Sequence, residues 1–573
     1  MSERDRAVSF RVPLTIAAPA LLIALAICGL SQQPPVPRGR RPNDPNSTPT
    51  GPPPKPGTVE GSVTNALSHA PIRQAIVSIN STQGYTYVGQ TDDGGKFHIP
   101  NVSPGSYFVG EARAQSFRYR PPGRVSSGQI TVAEAQDVTG VKVEMEPLGV
   151  ITGKVVDDDG EPVRDAQVMA LASDYSRGTR MLNAQGYSQT DDRGEFRLFD
   201  LIPGRYLVRA SLHPDFSPVA TMANVHRNTP EMGYAATYYP QGTDSTQAVA
   251  SEVAPGAEVT GVDIRLHSVP VYHIRGKLNQ GSDSGPSGGV TAAPCGSATP
   301  SVNVDQLRSM VNQSGAFDIP GVTPGTWCVT LQRGGPNARA YGTATASITD
   351  HSVEGVIVDV AAMTAVPGVV IVDGQSTQQP NFNITLQRSG AFAQNGNAQV
   401  KDLAFSIANV VPETYQVMVR GLPQGWYLKS MQYGSQDISE GTVTLHNDGT
   451  TLTLVVGTDG GQLSGTVQTD SGDPAINARV IVAPTDRFAN RRDLLKFTGV
   501  DPTGHFQSNG LAPGEYKVYA CEDPDFSLWY AVELRNELSS HATTITINAG
   551  SSSTAQLKTI SADDLAKAKA KLQ

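Results

Sequence analysis

The sequence predicts an all-β protein: a tandem array of about five antiparallel, Ig-like β-sandwiches behind an N-terminal hydrophobic segment. Three observations predict it. The first is internal repetition. TDDGGKFHIPNVSPGSY (91–107) returns as TDDRGEFRLFDLIPGRY (190–206), VNQSGAFDIPGVTPGTW (311–327) and VDPTGHFQSNGLAPGEY (500–516), with a worn copy, LAFSIANVVPETY, ending at Tyr415. Every copy places two aromatics ten residues apart: Phe97 and Tyr107, Phe196 and Tyr206, Phe317 and Trp327, Phe405 and Tyr415, Phe506 and Tyr516. Repetition at a fixed spacing sets the architecture before any local reading does. The second is the period-two alternation of apolar and polar residues within each copy, the mark of a half-buried strand. The third is composition: 57 Gly and 41 Pro with only 17% charged residues suit turn-dense sandwiches better than helices.

The elements follow in chain order. VPLTIAAPALLIALAICGL (12–30) is an apolar run preceded by Arg4, Arg6 and Arg11, so residues 1–31 read as a signal peptide or an N-terminal membrane anchor. Gly29-Leu30-Ser31 offers small residues for cleavage. Cys28 sits in a lipobox-like LAIC whose Ile27 is bulky where a small residue belongs. Residues 32–56 are a Pro-rich, extended linker.

One repeat unit then runs as follows. GSVTN (61–65) and AIVSIN (75–80) are strands. Asp92 and Gly95 make a turn, because Asp bonds local amides and Gly tolerates positive φ. Phe97 and Ile99 face inward, Pro104-Gly105 turns, Tyr107 and Val109 face inward again, and VTGVKVEM (138–145) closes the unit. About seven short strands in about 100 residues is the size of a β-sandwich domain. First strands recur at Thr152, Ile274 and Leu463, and closing strands at Val259 and Val353. The expected domains are therefore 57–147, 148–269 (with an aromatic insertion), 270–362, 363–459 (degenerate) and 460–560, followed by a short polar tail, 561–573. An extended row with almost no helix is expected.

These residues carry a resemblance. The pattern G-x-V, then G-x-P-V-x-x-A-x-V, then T-D-x-x-G-x-F-x-L-x-x-L-x-P-G-x-Y, written most fully from Gly153 to Tyr206, resembles the carboxypeptidase regulatory-like domain. The resemblance is specific in the first, second and fifth domains. It departs in the fourth, where Leu403 stands at the Gly position and Glu413 follows Pro412. It implies a transthyretin-like, carbohydrate-binding-like fold. It also implies an accessory role, since the family takes its name from a non-catalytic domain of zinc carboxypeptidases.

Candidate chemistry is sparse. HSVE (351–354) has the His-x-x-Glu spacing of a zinc peptidase, but Glu354 precedes Gly355 as Thr139 precedes Gly140 and Thr260 precedes Gly261, a strand-entry position. A catalytic zinc also needs a third ligand, a base and a cleft. The paired aspartates Asp92–Asp93 and Asp191–Asp192, and Asp157 to Asp159, are of calcium-ligand type. Their replacement by Asn312-Gln313 in the third copy favours turn chemistry. Neither a G-x-S-x-G elbow nor a phosphate-binding P-loop occurs. Lys154 and Lys277 lie in first strands and read as solvent-facing. Cys295 and Cys328 fall in one domain and are able to pair in an oxidising compartment; the alternative is that Cys328, like Cys521, is a small buried apolar residue.

What decorates the scaffold remains. Phe117, Phe216 and Phe526 each follow the repeat Tyr by ten residues. Tyr234, Tyr238 and Tyr239 lie in the second domain's insertion, and Trp529 and Tyr530 in the fifth's. Aromatic loops stack on sugars or anchor proteins, or else cover a core end; Tyr234, Tyr238, Tyr239, Trp529 and Tyr530 are the candidate ligand-binding residues. No catalytic, cofactor or metal residue is expected. A net charge of −9 disfavours a nucleic-acid partner. The reading is a non-enzymatic, exported cell-envelope scaffold for binding or adhesion, periplasmic or at the cell surface. Its partners would be an extracellular protein or polysaccharide, and the membrane through the N-terminal segment; the oligomeric state stays open. The alternatives are a carbohydrate-binding protein and an accessory component of a carboxypeptidase or outer-membrane uptake system.

Overall fold

Alternation in sequence becomes alternation in burial: along Lys96–Val102, Phe97 and Ile99 are buried while Lys96 and His98 are exposed. The computed structural model describes residues 54–572, except 82–83, 120–129, 176–179, 213–230, 280–287, 296–305, 334–339, 377, 389–394, 447, 477 and 523–526. The N-terminal segment, Cys28, Phe216 and Phe526 therefore lie outside the described residues. No helix among the described residues is long and apolar enough to cross a membrane.

The described chain is predominantly strand, arranged as five two-layered sandwiches in tandem. In each, one layer centres on the first strand: Gly57–Asn65, Gly149–Val156, Ser268–Asn279, Thr364–Asp373 and Gly461–Gln468. The other centres on the strand that carries the second repeat aromatic: Gly105–Ala114, Gly204–Ser211, Gly325–Arg333, Thr414–Arg420 and Gly514–Cys521. In sandwich 1 the two layers are joined by Phe117–Tyr119, which pairs with a strand of each. Five separate apolar cores fill the spaces between layers.

The pairing departs from the antiparallel expectation at one place in every sandwich. The first strand lies antiparallel to the strand of the repeat Phe but parallel to the closing strand: Gly57–Asn65 with Asp137–Pro147, Ser268–Asn279 with Val353–Asp359, Thr364–Asp373 with Leu452–Gly457, and Gly461–Gln468 with Ser552–Lys558. Two short strands, Glu258–Val259 and Ile264–Arg265, do the same in sandwich 2. The chain comes back from the far layer before closing, so its last strand runs in the direction of the first. Gly140, Gly261 and Gly355 sit at the start of these closing segments with φ of 80°, 76° and 73°, which explains the recurring Gly there.

Two further expectations are corrected. The tail is not a free polar segment: Ala562–Leu572 is a helix, here α2, with Leu565 and Ala568 buried against a six-residue helix α1, Val532–Glu537. Nor is the array a simple extended row, because Tyr175 of sandwich 2 is buried in an apolar cluster of sandwich 5. Adjacent sandwiches are also tied. Glu231–Tyr234, from the insertion of sandwich 2, pairs antiparallel with the first strand of sandwich 3. Tyr341 of sandwich 3 donates to Glu413 of sandwich 4, which also receives Arg388.

Candidate functional site

The repeat motif is the natural first candidate for a site, and its side chains turn out to be committed internally. Each repeat Phe is the register partner of a glycine in the first strand: Phe97 with Gly61, Phe196 with Gly153, Phe317 with Gly276, Phe405 with Gly368 and Phe506 with Gly465. A Cβ on any of these glycines would collide with the ring, at 2.5 Å for Gly61 and 2.0 Å for Gly368. The bare backbone is thus the floor on which the aromatic lies, a pairing that holds register in sheets.

Each second aromatic donates to the carbonyl oxygen four residues back. Tyr107 reaches Ser103 at 2.7 Å, Tyr206 reaches Ile202 at 2.5 Å, Tyr415 reaches Val411 at 3.1 Å and Tyr516 reaches Ala512 at 2.9 Å. Trp327 makes the same bond through its indole N–H, to Thr323 at 2.9 Å. This is a tyrosine corner, and it explains why the second position takes Tyr or Trp while the first takes Phe. Burial pushes the Tyr107 hydroxyl up to about 12, with neighbouring Tyr87 adding to the effect.

The aspartates of the motif are spent likewise. Asp92 Oδ1 accepts from the N–H groups of Gly94 and Lys96, Asp191 Oδ1 from Arg193 and Glu195, and Asp501 Oδ1 from Thr503 and His505, all at 2.8–2.9 Å. Asn312 does the same in the third copy at 3.0 and 2.9 Å, which is why Asn substitutes there. Backbone donation, foremost from Glu195, outweighs the small loss of hydration and holds the exposed Asp191 carboxyl below the usual carboxylate range. His351 pairs with the adjacent Asp350 at 2.7 Å, and Glu354 accepts from Arg275 at 2.7 Å. Lys154 is half exposed and pairs with Glu195 at 3.0 Å. Among the described residues, no three His, Cys, Asp or Glu side chains converge into a set able to hold a metal. Cys295 and Cys328 form a disulfide, and Cys521 is buried.

The five candidate aromatics separate. Trp529 is fully buried, tilted against Tyr519 with ring centroids 5.4 Å apart, so it offers no face to a ligand. Tyr238 is also buried, packed with Met169, Leu171, Leu182 and Leu207, and Arg209 lies over its ring at 5.9 Å. Burial pushes its hydroxyl up. Both are core residues because of the segment after the Tyr strand: in sandwich 2 Thr237–Tyr238 joins the sheet as an edge strand beside Gly204–Ser211, and in sandwich 5 the segment holding Trp529 packs on Ile481 and Tyr519. A second apolar layer forms there in sandwiches 2 and 5. On sandwich 1, among the described residues, Ile76, Val88 and Phe108 are exposed. Tyr239 is half-buried against the core of sandwich 2, and Tyr530 is half-buried edge-on to Phe497 at 5.7 Å.

Tyr234 is likewise half-buried against the core of sandwich 2. It also borders, with Tyr238, Arg209, Asp244, Thr243 and Trp327, a cavity of about 620 Å³ between sandwiches 2 and 3. Partial burial, then Asp157, Asp158 and Asp159, raise its hydroxyl. Burial lowers the pKa of Arg209, which is 1% exposed; its guanidinium reaches Ser211 Oγ at 3.4 Å. Sequence reasoning missed Arg209, although a cation inside the apolar run YLVRAS was a visible anomaly.

Residues 150–231 match the model of the carboxypeptidase regulatory-like domain. No curated protein sequence matches the chain. Similar solved structures include a streptococcal ancillary pilin (11% identity over 53% of this chain and 99% of that one, TM-score 0.17). Others are the Bacillus anthracis TIE protein (11%, 66% and 68%, 0.15) and the minor pilin of Streptococcus agalactiae (13%, 37% and 97%, 0.21). Likenesses of this size say nothing of what this chain does. The family match lies on sandwich 2, which, like sandwiches 1 and 5, combines the glycine floor, the Asp turn and the tyrosine corner, and residues 150–231 are what in this chain is similar to the carboxypeptidase regulatory-like domain.

Proposed function

We propose that this protein is a non-catalytic, exported scaffold of the cell envelope, built to bind or adhere through its sandwiches. One observation carries the reading: the repeated residues are consumed by the fold itself, as glycine floors, Asx turns and tyrosine corners, which leaves no recurrent reactive group. The Cys295–Cys328 disulfide supports an oxidising compartment. The apolar segment at 12–30 supports export, cleaved or retained. Domain boundaries near 57, 148, 270, 363 and 460 belong to this proposal. Cell fractionation and peptidase assays test it. The protein should reach the envelope and should release no C-terminal amino acids with zinc added; cytoplasmic retention or zinc-dependent release that His351→Ala abolishes would sink it.

A second reading, carbohydrate binding, is favoured at one place, the cavity beside Tyr234. An aromatic edge with an Arg and an Asp is suitable lining for a polar ring. Tyr234→Ala should remove retention on a polysaccharide column at temperatures well below its own melting transition, where the domain is folded. Retention equal to wild type would leave the scaffold reading alone.

A further inference from the structure

Sandwiches 2 and 5 are separated in the chain by two whole sandwiches, yet they share a joint. Tyr175 follows the strand Gln167–Asp174 of sandwich 2 and takes no part in either apolar cluster of its own sandwich. Its ring is 5% exposed and lies among Ile481, Tyr519, Trp529, Ile560 and Leu565, all of sandwich 5 and its C-terminal extension. Its hydroxyl donates to the carbonyl oxygen of Leu572 at 2.8 Å, across 397 residues.

Leu572 is the last residue of α2, where helix carbonyls have no intrahelical donor. Tyr175 supplies one. At the other end Ser561 caps the helix: its Oγ accepts from the Asp564 N–H at 3.1 Å and donates to Asp564 Oδ2 at 2.7 Å. An isolated helix of 11 residues is marginal in water. It therefore owes its order to what it docks on, and one of those surfaces belongs to sandwich 2.

We propose that α2 and Tyr175 form a clasp that fastens sandwich 2 to sandwich 5. The joint is held by side-chain packing and the Tyr175–Leu572 hydrogen bond rather than by a short linker, so it is able to open without unfolding either sandwich. Amide hydrogen exchange on the full chain tests it. In Tyr175→Ala the amides of α2 should exchange about tenfold faster or more, the factor that corresponds to losing about 1.4 kcal/mol. The strands of sandwich 2 should keep wild-type protection, since the ring lies outside their core. Tyr175→Phe, which keeps the ring and loses the hydrogen bond, should fall between the two and covers the case in which the alanine variant does not fold. Wild-type protection of α2 in both variants, or an α2 already unprotected in the wild type, would overturn the clasp.

Discussion

Phe196 and Gly153 show how little freedom the motif leaves to a single residue. Phe196→Ala removes a buried ring from the core of sandwich 2 and should cost about 3–5 kcal/mol, a large part of one domain's stability. Gly153→Ala presses on the same ring from the other side, its Cβ 3.0 Å from Phe196, and clashes harder with the Val262 carbonyl oxygen at 2.0 Å. Both should lower the melting transition of sandwich 2 in calorimetry. Tyr206→Phe keeps the ring and deletes only the bond to Ile202, so about 1 kcal/mol is expected. Trp529→Ala should behave like Phe196→Ala, unfolding the cap of sandwich 5. A variant that kept its stability but lost a ligand would contradict the burial of Trp529.

Among the elements, the loop 485–495 of sandwich 5 reaches into sandwich 4. Arg491 is held by Asp493 at 2.6 and 2.8 Å, both side chains buried, while it donates to the Ser439 carbonyl of sandwich 4. Arg492 beside it meets Gln387 and Gln416. Arg491→Ala would leave Asp493 buried without its cation, a loss of about 3–5 kcal/mol, and should separate the melting of sandwiches 4 and 5 in a calorimetric trace. In sandwich 3 the strand-borne cluster of Asp318, His273 and Arg275 carries a pH signature. Burial raises the Asp318 carboxyl, but hydrogen bonds from His273 at 2.6 Å and Arg275 at 2.9 Å outweigh it, and the net pKa is lowered. A depressed carboxylate contributes stability above its unfolded pKa of about 4 and loses it as pH falls through the folded value. Acid titration of sandwich 3 should show this loss, and Asp318→Asn should flatten it. These elements also show what a sequence reveals. The strand of Phe97 was legible because alternation is local. The partner of Gly153 was not, since Phe196 lies in another strand and pairing is non-local. Both-face burial was written in the continuous run RVIVAP (479–484), every residue of which is buried, but which segment covers it was not. The tail read as polar because only Leu565 and Ala568 of α2 are buried among lysines and aspartates.

At the scale of the whole chain, the parallel pairing of first and last strands acquires a mechanical meaning. Two parallel partners place the entry of a sandwich at one pole and its exit at the other. Tension along the backbone then drags Gly57–Asn65 and Asp137–Pro147 past each other, so their ladder hydrogen bonds resist together in shear instead of opening one by one like a zipper. The same holds for Thr364–Asp373 against Leu452–Gly457. Every sandwich is in this sense a link loaded in shear, and the disulfide tunes one of them. Cys295 and Cys328 are 33 residues apart, so the loop they enclose stays closed under load. When sandwich 3 yields in a single-molecule pulling experiment, it should release about 110–120 Å less chain than after reduction, at about 3.3–3.6 Å per residue. Equal lengths before and after reduction would show that the bond does not form. A chain held at both ends and stretched would thus lengthen in discrete steps, with its third link the shortest.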